Sequence, residues 1–261
     1  MSIANVITLS GVLRMMLWVM LFIALLVTGP LLTIAFGRAS FQGDWRNATH
    51  RSGGLAPDPT LTREAVVQVY ASRTFGWRGA FADHTWLAAK PANADSYTRF
   101  EVIGWYGRGG GSVVSVSGQR APDAEWYGSA ARLIRDLRGV EAEAVIAKLQ
   151  GAVATYPYGN SYSAWPGPNS NTFVAHVGRE IPELRVTLPS TAIGKDYLPI
   201  RQVFARTPSG TGYQFSLAGV LGIAAGIDEG IEVNVLGLVT GIDVRHPALK
   251  LPGIGRVPGA G

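Results

Sequence analysis

Among its 261 residues the chain has no cysteine. Disulfides, thiolate nucleophiles and cysteine-based metal sites are thereby excluded together, while the redox compartment stays open, since an oxidising compartment does not require cysteine. Charge is sparse as well: charged side chains make up 16% of the sequence and the net charge is +5. Lys and Arg are scattered, with no basic run interleaved with aromatics, so nucleic-acid binding lacks its electrostatic footprint. Asp83, His84, Glu101 and His176 fall at no recognised metal-ligand spacing, and no cofactor is expected. A G-x-S-x-G elbow is missing too. Gly107-Arg108-Gly109-Gly110-Gly111 is followed by neither a helix nor Lys-Ser or Lys-Thr, and reads as a hairpin loop, not a phosphate cradle.

Apolar residues make up 47% of the chain, enough for a sizeable core, and the length fits one domain beyond any membrane segment. The 33 glycines and 15 prolines point to tight turns and short strands. Met15 to Gly37 carries no charged side chain. As a helix rising about 1.5 Å per residue, it spans roughly 34 Å, the thickness of a bilayer core. Gly29 and Pro30 would kink it, which membrane helices tolerate. Gly37-Arg38-Ala39 is a weak cleavage signal, so an uncleaved anchor is the preferred reading. Arg38, Arg46 and Arg51 follow the helix and Arg14 precedes it, which by count favours a cytoplasmic body. The short amino-terminal flank and large following body instead match a bacterial signal anchor. The expectation is a single-pass inner-membrane protein with a periplasmic body, whose first partner is the lipid bilayer.

The organisation expected is an anchor over 1–37, a Gly/Pro-containing linker over 38–63, an α+β domain over 64–250 and a Gly/Pro-rich tail over 251–261. Strands are predicted at 65–71, 84–89, 97–106 and 113–116 from β-branched and alternating residues. The spacing of Trp126, Ala130, Leu133, Ile134 and Leu137 predicts a helix from Pro122 to Leu137, and Glu141 to Ala154 a second. Tyr213 to Ala225 and Ile231 to Ile242 read as one hairpin around Gly226 to Gly230. Asp228, Glu229, Glu232 and Asp243 interrupt the apolar length too often for another membrane span. Residues 247–261 are expected to run irregularly.

The stretch from Tyr156 to Val174 carries the main functional signal. Pro166, Gly167 and Pro168 force a turn. Asn169, Ser170 and Asn171 are good cap residues, and Phe173, Val174, Val177 and Ile181 follow at helical spacing. A helix is thus predicted to start near Ser170 and to end before Pro182, with its first amides at the positive end of the helix dipole.

Several motifs carry a resemblance: Gly76-Trp77-Arg78-Gly79, His84-Thr85-Trp86, Val102-Ile103-Gly104-Trp105, Tyr156-Pro157-Tyr158, Trp165 to Phe173, and Ala192 to Tyr197. Together they resemble the bacterial family called domain of unknown function 3750 over residues 64–250. More distantly, Asn169-Ser170-Asn171-Thr172-Phe173-Val174 is similar to the Asn-Cys-Glu-His-Phe-Val signature of the lecithin:retinol acyltransferase-like branch of the permuted papain fold. In that branch a histidine on an early strand precedes a nucleophile at a helix start. The resemblance implies a permuted papain-like body of antiparallel strands and three helices. It also implies Ser170 in the cysteine position, His84 as base, Glu101 as a third residue orienting it, and amides near Asn171 and Thr172 as oxyanion donors. Serine is the weaker nucleophile, because its hydroxyl proton must leave during attack.

Two functions remain open on the sequence. One is a serine-variant hydrolase or acyl transferase acting on an envelope amide, ester or lipid. The other is a catalytically inactive module that binds a peptide, glycan or lipid, with Asn169, Asn171, Thr172, Trp86, Trp105, Tyr158 and Trp165 lining its cleft. The alternative for Ser170 is a plain helix-start residue, and for the aromatics a packed core.

Overall fold

The computed structural model describes residues 3–37, 39 and 45–259. It is an α+β architecture with two antiparallel sheets. The first helix, α1, covers Ile3–Ala35 with Pro30 inside it. Its Gly11–Ala35 segment has a mean hydropathy of 2.4 and, among the described residues, is the one helix long and apolar enough to cross a membrane. The last turns of α1 do not stand free. Leu26 and Thr33 are buried, and the Thr33 hydroxyl donates to the Gly253 carbonyl at 3.1 Å. Gly29 packs directly on the Pro252 carbonyl, an approach that any side chain there would block.

The first sheet has strand order β4-β3-β2-β1-β5. Its strands are β1 (Val66–Arg73), β2 (Asp83–Lys90), β3 (Thr98–Val102), β4 (Val114–Ser117) and β5 (Arg132–Arg138). Strand alternation divides its side chains between two covered faces. Val67, Val69, Leu87, Phe100 and Val102 meet helices α2 (Gly139–Ala154) and α3 (Ser170–Glu180) through Val145, Leu149, Phe173, Val174 and Val177. Val66, Tyr70, Trp86, Ala88 and Tyr97 form the other face. That face is roofed by two irregular segments stitched together at Asp123. Its carboxylate accepts from the Ser52 hydroxyl at 2.7 Å and the Leu55 amide at 2.6 Å. The Trp86 indole donates to the Pro122 carbonyl at 2.7 Å. Residues of the segment expected as a linker therefore pack on the body, while 38 and 40–44 lie outside the described residues.

The helix expected over 122–137 is not formed. Residues 122–131 are a loop and Arg132–Arg138 is a strand. Trp126 and Ser129 close a tight turn in which Tyr127 and Gly128 have φ of 50° and 82°, angles that no right-handed helix contains. The following residues pair with the otherwise open edge of β1, Val67 opposite Leu137 and Tyr70 opposite Leu133. Tertiary pairing overrides the helical spacing of the apolar residues.

The second sheet is a seven-stranded meander, β12-β11-β10-β9-β8-β7-β6. It comprises β6 (Phe204–Arg206), β7 (Gly212–Leu217), β8 (Leu221–Gly226), β9 (Gly230–Val235), β10 (Leu238–Asp243), β11 (Ala248–Leu251) and β12 (Gly255–Val257). The two long strands expected here are each folded back once. Ala218 and Gly219 have φ of 49° and 72°, and Leu236 and Gly237 of 56° and 81°. Paired positive φ values are the signature of two-residue hairpin turns whose twist matches the strands. The tail expected to be irregular supplies β11 and β12.

Candidate functional site

Helix α3 starts where the sequence predicts, and its start is closed off by its own cap. The Asn169 side-chain oxygen accepts from the amides of Asn171 at 2.9 Å and Thr172 at 3.2 Å, while the Thr172 hydroxyl accepts from the Asn169 amide at 3.1 Å. This reciprocal capping box consumes the amides that an oxyanion would need. The Asn171 amide group donates to the carbonyls of Asp83 at 2.9 Å and Ile193 at 2.7 Å, and its oxygen accepts from the Thr85 hydroxyl at 2.9 Å. Asn169 also donates to Ile193 at 3.0 Å, and the Thr172 hydroxyl to Gly194 at 2.8 Å. These residues pin the helix start to β2 and to the loop at 191–194. Ser170 is buried among them.

The structure brings His84 and Glu101 together, at 3.2 Å between Nε2 and Oε2. Arg99 donates to the same carboxylate oxygen at 2.9 Å. Burial pushes the Glu101 carboxyl upward, but the His84 hydrogen bond and the Arg99 charge outweigh it and hold it at about 2. Burial lowers the His84 pKa, with Glu101 opposing less strongly. Arg99 is thus the cation of this trio, and His84 is neutral, donating from Nε2. Its ring stacks 3.6 Å from Trp126 and 5.7 Å from Trp86, measured between centroids. Ser170 does not join the trio. On β2 it is Thr85 and Leu87 that face α3, so strand alternation turns His84 and Trp86 to the opposite face. Among the described residues no hydrogen bond links Ser170 to His84.

The predicted lining residues divide in the same way. Trp86 is in the core beside His84, and Trp105 lies half exposed, 5.9 Å from Trp126. Tyr158 packs edge-on against Tyr156 and Tyr197 on the α3 side. Trp165 reaches the second sheet, its indole donating to the Leu236 carbonyl at 2.8 Å. They do not line one cleft.

The segment from β1 through α3 is also where the chain meets known proteins. Residues 64–197 match a family described as Protein of unknown function (DUF3750). The chain belongs to this family. No curated protein and no solved structure matches it. The family match covers Ser170, His84 and Glu101 but ends before β6, short of the 64–250 expected, so the seven-stranded sheet lies beyond it.

Sequence reasoning missed an open groove of about 1780 Å³ whose lining includes Gly37 and Ala39, where α1 ends. Its walls come from β5, the 185–191 loop, the turn at Asp228 and the β10–β12 region. Arg132, Arg135, Arg185, Arg245, Lys250 and Arg256 line it, against Asp228 and Asp243. All but Arg135 are already engaged: Arg132 with Asp83 at 2.6 Å, Arg185 and Arg245 with Asp228 at 2.9 Å each, Lys250 with Glu232 at 2.6 Å and Arg256 with Asp243 at 3.2 Å. Arg135 donates to the Leu184 carbonyl through Nε at 3.1 Å, leaving the rest of its guanidinium over the groove. The Ser190 hydroxyl, also on the wall, is buried with no hydrogen-bond partner. These cations are far apart in sequence, and only the fold gathers them.

Proposed function

We propose that the protein is a membrane-anchored, catalytically inactive module of permuted papain-like descent, which binds the anionic headgroup of an envelope lipid. The basic groove at the exit of α1 carries this reading. Its cationic wall, its unpartnered Ser190 hydroxyl and its opening beside the anchor suit a phosphate-bearing headgroup approaching from the bilayer surface. A groove of this size exceeds the several hundred Å³ usual for a small ligand, which leaves room for glycerol and the first part of an acyl chain. The permuted papain-like ancestry rests on the order of parts, a histidine strand before an Asn-Ser-Asn helix start. The periplasmic body rests on the signal-anchor pattern of the amino terminus.

Retention of lipid tests the function. The full-length chain purified from membranes should carry anionic phospholipid through native mass spectrometry. Replacing Arg135 and Arg185 by Glu should lower its occupancy about tenfold or more, the scale of losing one to two charge-assisted contacts. Equal occupancy in wild type and variant would refute the groove as the site.

One observation favours the alternative, a serine-variant hydrolase or acyl transferase. With Nε2 of His84 on Glu101, its Nδ1 remains available as a base, the division of roles a triad requires. The consumed helix amides and the missing Ser170–His84 contact weigh against it.

A further inference from the structure

The seven-stranded sheet is built inside out. Its alternate residues Gln214, Ser216, Glu232, Asn234, Val239 and Lys250 are buried against the body. Glu232 takes the ammonium groups of Lys195 and Lys250 at 2.6 Å each, and Asn234 donates to Asp196 at 2.5 Å. The outward face is apolar. One row across the register runs Phe204, Phe215, Ile223, Val233 and ends on the polar Thr240, and the next runs Tyr213, Ala225, Ile231, Ile242, Leu249, Val257. Except for Ala225 and Thr240, these are large apolar side chains exposed by about 40% or more of their surface. The hairpin ends add exposed Ile227, Leu236 and Val244. Arg206 is the one charged side chain on the strands of this face, and it lies over the Tyr213 ring.

Seven strands of three to six residues, spaced about 4.8 Å apart, give a platform of about 550 Å². Apolar patches of more than a few hundred Å² on soluble proteins mark a contact surface. We infer that this face lies on the lipid bilayer, immersed at the headgroup–acyl boundary next to the anchor. Two observations select that occupant. The turn between β11 and β12 packs on α1 at Gly29 and Thr33, so the sheet is continuous with the membrane helix and is held at its outer end. The exposed charges around the rim, Arg201, Arg206 and Arg245, are cationic and suit anionic headgroups. A second copy would bring the same cations together, and the platform falls short of the about 800 Å² per partner of a stable interface.

The absence of cysteine allows a direct test in the full-length chain. Single variants Leu21→Cys in α1, Ile223→Cys on the sheet and Glu143→Cys on exposed α2 are labelled with nitrobenzoxadiazole and reconstituted in phosphatidylglycerol liposomes. Val233→Cys replaces Ile223→Cys if that variant does not fold. With nitroxide-bearing phospholipids, emission at Leu21 and Ile223 should fall roughly twofold or more, as expected for a label about 5–10 Å into the boundary region, while Glu143 stays unchanged. Quenching at Leu21 without quenching at Ile223 or Val233 overturns the inference. Aqueous iodide then identifies the face as solvated if it quenches, or covered by protein if it does not. No quenching at Leu21 overturns it as well, by removing the bilayer itself. The headgroup groove stands or falls separately, since Arg135 and Arg185 are unchanged in these variants.

Discussion

The two sheets of this protein use the same alternation to opposite ends. In the five-stranded sheet, β1 and β2 are buried almost throughout, with an apolar face on the helices below and, under the irregular roofing segments above, Tyr70 and Trp86 packed beside the Arg99–Glu101–His84 trio. In the seven-stranded sheet the inward face is ionic and amide-rich, and the apolar residues face out. Burial of apolar surface explains the first. The second leaves its apolar surface uncovered within the chain and is joined to the body through the polar network it shares with the 188–196 loop. The family match ends where this contrast begins.

The largest effects should come from the inner faces of both sheets, through different chemistry. Trp86→Ala removes a wholly buried ring and should cost about 3–5 kcal/mol. Glu232→Ala strands two buried ammonium groups and should cost about 3–5 kcal/mol as well. The outward Ile223→Ser should stay within about 0.5 kcal/mol in detergent. Chemical denaturation of the three variants measures all of these, and a costly Ile223→Ser would break the contrast.

Acid should act next, and through the first sheet. Burial keeps His84 neutral in the folded state and lowers its pKa, so below about pH 6.5 the unfolded chain takes up a proton that the folded one refuses. Stability is therefore present above that pH and falls as pH drops, by up to about 1.4 kcal/mol per unit for this group. His84→Gln should flatten the slope between pH 6.5 and 5. Glu101, held at about 2, adds a further loss only as pH falls through the range below 4.5. A His84→Gln variant with an unchanged pH profile would show that His84 is not buried as a neutral ring.

Smaller effects separate the two neighbours at the start of α3. Asn169→Ala removes the cap and should cost about 1–2 kcal/mol. Ser170→Ala should change stability by less than about 0.5 kcal/mol, since it lies outside that network of bonds. Thermal denaturation ranks the pair, and a Ser170→Ala cost equal to that of Asn169→Ala would place the serine within the cap.

Much of this was legible in the residues. The β-branched run at Val66, the helix from Glu141 and the cap residues before Phe173 are local signals, and each forms close to its expected place. Glu101 is expected beside His84 because it lies on the next predicted strand, and the structure brings the two within 3.2 Å. What local pattern could not carry was sidedness and pairing. Whether His84 or Thr85 faces α3 depends on the register of the whole sheet. Residues 132–138 have helical spacing but complete the edge of β1. The outward apolar face was hidden because alternation reveals two faces and not which one meets the body. The groove cations lie on strands and loops that only meet in three dimensions.

The most direct test of the central claim, that the Ser170 helix start is a sealed structural element and the module binds without catalysis, is labelling of the full-length protein with a serine-reactive fluorophosphonate. Wild type, Ser170→Ala and His84→Ala are compared after circular dichroism has established that all three are folded. No labelling above the Ser170→Ala background is expected. Labelling of wild type that disappears in both variants would contradict the central claim and establish an activated serine.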